Sequence, residues 1–238
     1  MQLLGIVTFE LILIFFLSRH LLRVMYTLLL IILRSKSVVI GLVTLIYLPG
    51  TVIHELAHLI VAEVLRVKTG EISFTPIVEK LADGSTEVHT GHVKIAESDT
   101  IRRYLIGLAP LPFGLFFLFL CIWIFNYFYP QIVDWKLQAG LVALIGYLLF
   151  AISNNMFSSR VDLEGFIFLV PIFLLLAASA YIAGFRLTLT GQVQLLSLQI
   201  LTNLATALAI VIGVNLIILL INGVLLRGIL KLKGLTPA

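Results

Sequence analysis

The chain has 238 residues, of which 61% are hydrophobic and 12% charged, with a mean hydropathy of +1.14. A soluble domain carries about twice that charged fraction, so the composition excludes an ordinary water-soluble globule and suits one multi-pass membrane bundle. The net charge of +4 and pI near 9.3 are those of basic residues flanking apolar spans and imply no nucleic-acid partner; the single cysteine, Cys121, excludes an internal disulfide framework.

In chain order, Met1 to Ser18 comes first. It has no positive leading region, carries Glu10 in its apolar stretch and shows no small-residue cleavage site, so it reads as a retained span rather than a signal peptide. A span needs about twenty apolar residues. Suitable runs lie at 2–18, 38–65, 104–129, 137–157, 166–185 and 195–226. The run 24–33 is too short to cross alone. It either continues the first helix or lies at the interface as an amphipathic piece. The expected fold is therefore an all-α multi-pass membrane bundle of about six transmembrane helices in a single domain, 1–238.

Between the second and third spans lies the one sizeable polar segment, 67–103. Ile72 and Phe74 alternate with polar residues, as do Val93 and Ile95, and Asp83-Gly84 offers turn chemistry between the runs. This pattern predicts a small β-hairpin beside the membrane. If 67–103 is cytoplasmic, that side holds Arg66, Lys68, Lys80, Lys94, Arg102, Arg103, Arg160, Arg227, Lys231 and Lys233. The other side holds Arg19, Arg23, Arg34, Lys36, Lys136 and Arg186. The excess favours this orientation.

The second span carries His54-Glu55-Leu56-Ala57-His58. Histidines four apart on a helix share one face, one turn apart. That spacing suits two ligands of a tetrahedral Zn²⁺, with Glu55 placed to handle the proton of a metal-bound water. Ionisable groups are costly in hydrocarbon, and a zinc hydrolase working within the membrane gives them a reason to be there. Pro49-Gly50-Thr51 precedes the motif and predicts a break in the span, with Thr51 capping a fresh helical segment from His54 to Arg66. His58 lies eight residues before Arg66, which places the site roughly 12 Å below the interface on the hairpin side.

A catalytic zinc needs a third protein ligand and an open fourth position. The stretch 154–165 offers Asp162 and Glu164, and on residue chemistry either carboxylate serves. The alternative for such an acid is an ordinary polar turn at a helix N-terminus.

With both stretches in view, the chain resembles the site-2 protease family of intramembrane zinc metalloproteases. That family pairs His-Glu-x-x-His on one membrane helix with a later Asn-x-x-Pro-x-x-x-x-Asp-Gly motif. Asn154 and Asp162 have the family's spacing of eight. Phe157 stands where the family has proline, and Leu163 where it has glycine. Gly107-Leu108-Ala109-Pro110 resembles the Gly-Pro that opens the following family helix, although the asparagine after it has no counterpart here. The family also places a β-hairpin or sheet after the first motif, on the cytoplasmic side.

The resemblance covers about 38–185 and implies a divergent member. It implies a zinc metalloendopeptidase with His54, His58 and Asp162 as metal ligands, Asp162 being preferred to Glu164. Glu55 is then the general base, and Asn154 a residue that binds the substrate backbone. The implied partners are the lipid bilayer and a membrane-protein or peptide substrate, which an edge strand of the hairpin would capture by β-augmentation. Two other classes remain open. One is a non-proteolytic zinc-binding membrane protein, either a sensor or a transporter. The other is a different membrane zinc protease with Glu164 as third ligand.

Other polar residues have plainer readings. His89 and His92 are three apart, and on a strand they face opposite sides unless Thr90-Gly91 bends the chain. Glu10 is expected to contact another polar group in the bundle. Asn215 and Asn222, one heptad apart, are expected to make interhelical hydrogen bonds.

Overall fold

The computed structural model describes residues 2–73, 77–80, 86–89, 92–96, 98–156, 168, 171–172, 174–176, 178–184 and 190–232. They form an α-helical bundle with a small β appendage. In chain order the elements are α1 (Gln2–Leu33), α2 (Lys36–Val64), β1 (Thr69–Ser73), β2 (Ile77–Lys80), β3 (Thr86–His89) and β4 (His92–Ile95). Then follow α3 (Thr100–Leu108), α4 (Pro110–Phe128), a 3₁₀ turn (Tyr129–Gln131), α5 (Trp135–Asn155) and α6 (Gly191–Leu232). Five segments are long and apolar enough to cross a membrane: Gln2–Leu33, Lys36–Val64, Thr100–Gln131, Trp135–Asn155 and Gly191–Leu232. The expected span 166–185 lies partly outside the described residues, though residues 178–182 are helical.

The first span is longer than the apolar run 2–18 suggested. No glycine or proline interrupts 19–33, so the helix carries straight on. Leu21, Met25 and Leu28 continue its buried stripe at helical spacing, while Arg19, His20 and Arg23 occupy the exposed face. The run 24–33 is thus the end of α1. At 32 residues, α1 is about 48 Å long, against a hydrocarbon core of about 30 Å. Arg34 ends it in the left-handed region (φ 54°), with its N–H donating to the Leu30 carbonyl at 2.9 Å. This is the single-bond αL cap. Only Arg34 and Ser35 separate α1 from α2.

The polar segment holds two antiparallel ladders. β1 pairs with β4 (Thr69 with Ile95, Ile72 with Val93), and β2 pairs with β3 (Ile77 with His89, Lys80 with Thr86). The second ladder is nested within the first along the chain. The expected turn Asp83-Gly84 lies outside the described residues. His89 ends β3 opposite Ile77, and His92 opens β4 opposite Ser73, so the two belong to different ladders.

α1 runs along α6, and α2 packs against α5 and α4. The largest core cluster draws Ile14 from α1, Leu118 from α4, Leu149 from α5 and Leu208 and Val211 from α6. A second joins Leu21 and Met25 of α1, Val39, Val43 and Tyr47 of α2, and Phe150 of α5. Tyr47 stacks on Phe150 with ring centroids 5.4 Å apart. Large apolar side chains such as Phe9, Leu45 and Leu220 stay exposed on the outer faces, which suits helices of an integral membrane protein.

Candidate metal centre

The buried positions of α2 include Val39, Val43, Tyr47, Thr51, His54, His58 and Ala62. They form one stripe at three- and four-residue spacing. The two histidines therefore fall on the face the helix turns into the bundle. Glu55 is buried beside them at 5% exposure, close to His54 at 5% and His58 at 9%.

The expected break before the motif does not occur. α2 runs unbroken through Pro49. Thr51 does not cap a new segment, because its hydroxyl donates back to the Tyr47 carbonyl at 3.2 Å. A side-chain amide from α5 supports the same turn: Asn155 Nδ2 donates to the Tyr47 carbonyl at 3.3 Å and to the Ala151 carbonyl at 2.9 Å. α5 thus packs closely against α2 at the proline-bearing turn, which stays helical where local propensity alone favours a break.

Gly50 makes the crossing possible. A Cβ there would lie 2.7 Å from Asn155 Nδ2 and closer still to the Ala151 carbonyl oxygen. α2 then ends as expected near Arg66. Arg66 takes φ 56°, its N–H donates to the Glu63 carbonyl at 3.0 Å, and the Val67 N–H reaches the Ala62 carbonyl at 2.9 Å. These are the two bonds of a Schellman cap. Val67, Ala62 and Ile106 close an apolar cluster over it.

Within this frame the imidazoles converge. His58 Nε2 lies 3.1 Å from His54 Nε2, and the rings meet edge to face at 86°. The other ring nitrogen of His58, Nδ1, donates to the Ile106 carbonyl at 2.9 Å. A carbonyl can only accept, so the proton sits on Nδ1 and the Nε2 of a neutral ring presents its lone pair.

Two imidazole nitrogens on one tetrahedral Zn²⁺, each about 2.0–2.1 Å from it, stand roughly 3.3 Å apart. The observed separation, 3.1 Å, is near that value and is also the length of an N–H···N hydrogen bond. The backing of His58 by a carbonyl is the outer-shell bond that zinc-ligating histidines almost always make. Among the described residues no group of three His, Cys, Asp or Glu side chains is placed to hold a metal ion. Asp162 and Glu164, the expected sources of the third ligand, lie outside the described residues.

Asn154, expected at the substrate, sits in the interface of α5 with α6. Its Nδ2 donates to Asn215 Oδ1 at 3.0 Å and to the Phe150 carbonyl at 2.7 Å, and Asn215 Nδ2 returns a bond to Asn154 Oδ1 at 3.3 Å. Asn215 is fully buried, so this reciprocal amide pair ties the last helix to the end of α5. The expected interhelical role of Asn215 is realised.

The polar contact expected of Glu10 is not. Its Oε2 is buried with no hydrogen-bond partner among the described residues, in a groove lined by Phe9, Ala209 and Ile212. The nearest polar side chain lining that groove, Gln2, stands two helical turns away along α1.

Two contributors to the site escaped the motif-level reading. Asn155 is adjacent to the motif residue Asn154 and was overshadowed by it. The Ile106 carbonyl is backbone and has no residue signature of its own. Compared with known proteins, the chain matches no protein-family model, no curated protein and no solved structure.

Proposed function

We propose that this chain is an integral membrane zinc metalloendopeptidase resembling the site-2 proteases. It would hydrolyse peptide bonds of membrane-embedded or membrane-proximal protein segments. The observation that carries this reading is the pair of buried imidazole Nε2 atoms, 3.1 Å apart, in an apolar helix that also buries Glu55. Imidazoles and a carboxylate are costly in such a place. A metal with a general base beside it accounts for all of them at once.

His54 and His58 would hold the zinc, with Asp162 as third ligand. When bound, zinc supplies a Lewis acid and brings the pKa of a water toward about 7. Glu55 takes the proton of the attacking water and delivers it to the leaving amine. A carboxylate suits both transfers because burial beside the metal keeps bulk water from competing for the proton. The Ile106 carbonyl holds the His58 ring in the ligating tautomer.

Asn154 would reach a substrate backbone only by releasing Asn215. The two-stranded ladders after α2 supply strand edges to which an unwound substrate segment can add. The site would lie toward the hairpin side of the membrane, and the excess of basic residues there favours the cytoplasmic side.

The test is Glu55→Gln in protein reconstituted with labelled transmembrane peptides. The expected variant keeps its zinc and loses cleavage. Full cleavage by the variant would overturn the role of Glu55. A wild-type protein that holds zinc and cleaves nothing across a broad peptide set would favour a zinc sensor or transporter.

A further inference from the structure

We propose that Pro110 is a positioning residue for His58, acting through the Ile106 carbonyl. The effect on metal binding rests on the zinc reading above. The effect on the imidazole itself does not.

α3 ends at Leu108 and α4 opens at Pro110 within one apolar stretch, Thr100–Gln131. In an uninterrupted α-helix the carbonyl of residue 106 would accept from the N–H of residue 110. Here residue 110 is proline, which has no N–H and whose ring clashes with the carbonyl four residues earlier. The Ile106 oxygen is therefore without its i+4 donor. It accepts a tighter 3₁₀-type bond from the Ala109 N–H at 3.1 Å. Its remaining lone pair takes the Nδ1–H of His58 at 2.9 Å.

Ile106 is 3% exposed and Pro110 is buried, so this contact is shielded from bulk solvent. The chain of cause is then complete. Proline vacates a carbonyl, the carbonyl fixes the proton on Nδ1, and the Nε2 lone pair of His58 is aimed toward His54. The arrangement also couples α2 to the α3–α4 joint, where Pro110 removes the i+4 donor of the Ile106 carbonyl.

Pro110→Ala restores an N–H four residues after Ile106 and removes the ring. Pro112→Ala, at an exposed position in the same turn, is the control. The first readout is the ¹⁵N spectrum of histidine-labelled, metal-free protein, with His58 assigned by difference against His58→Gln. Wild type should show the Nδ1–H tautomer, and Pro110→Ala a mixture with Nε2–H. The second readout is zinc affinity by chelator competition. It should fall about 10–100-fold in Pro110→Ala, the usual effect of losing an outer-shell partner, and stay unchanged in Pro112→Ala.

Wild-type tautomer and wild-type zinc affinity in Pro110→Ala would overturn the proposal. If that variant fails to fold, an Nε2–H tautomer in metal-free wild type would overturn it alone. A tautomer shift in a protein that binds no zinc would uphold the positioning and sink the metal reading instead.

Discussion

Gly50→Ala should destabilise the bundle, although alanine is the better helix former. In an open position the exchange gains about 1 kcal/mol of helix propensity. At Gly50 the new methyl would sit 2.7 Å from Asn155 Nδ2 and nearer still to the Ala151 carbonyl oxygen, whereas ordinary contact begins near 3.4 Å. α2 and α5 must part by about 1 Å, a shift of the size that overpacked cores resist at about 1–3 kcal/mol.

The same shift stretches the Asn155–Tyr47 bond, already 3.3 Å long, beyond useful range. An interhelical polar bond of this kind is worth about 0.6 kcal/mol on average. The net expectation is a loss of about 1–2.5 kcal/mol. Reversible unfolding in mixed micelles would measure it, with Gly41→Ala as the control in the same helix. A Cβ at Gly41 meets nothing within 4 Å, so that variant should gain up to about 1 kcal/mol. If Gly50→Ala proves as stable as Gly41→Ala, the close α2–α5 crossing beneath the histidines is wrong.

Three further outcomes follow from particular contacts. Arg66→Gly should stabilise by up to about 1 kcal/mol in the same unfolding assay, since φ 56° costs an L-residue but not glycine; a loss would contradict the Schellman cap. Asn215→Leu removes the reciprocal amide pair with Asn154 and should lower stability by about 0.6 kcal/mol, at most about 1.7; unchanged stability would contradict the pair. Asp162→Ala should deplete zinc while Glu164→Ala retains it, measured by metal analysis of the purified variants, and the reverse pattern would transfer the third-ligand role to Glu164.

Much of the bundle could be read from the chain because apolar length is a direct physical requirement of a span. The boundaries were less legible. The run 19–33 carries Arg19, His20 and Arg23, which look like a loop in a hydropathy reading. They occupy one exposed helical face, so α1 passes through them. Pro49 misled for a related reason. Its local preference for a break is real, but α2 stays helical through it, and the contact that Asn155 of α5 makes with the Tyr47 carbonyl just before it joins positions 108 apart.

The histidine spacing carried the site, since i and i+4 on a helix leave the two rings little choice but to meet. The outer support of His58 was not legible, because it is a backbone carbonyl, that of Ile106, 48 positions further along the chain. The amide pair of Asn154 and Asn215 joins positions 61 apart, and neither residue names its partner.

The central claim is that His54 and His58 are metal ligands, and zinc content tests it most directly. Membrane protein purified under mild chelation should carry about one zinc per chain and lose it in both His54→Ala and His58→Ala, while Glu55→Gln keeps it. Equal metal content in wild type and the histidine variants would contradict the claim, and leave the 3.1 Å contact between the two Nε2 atoms as a hydrogen bond alone.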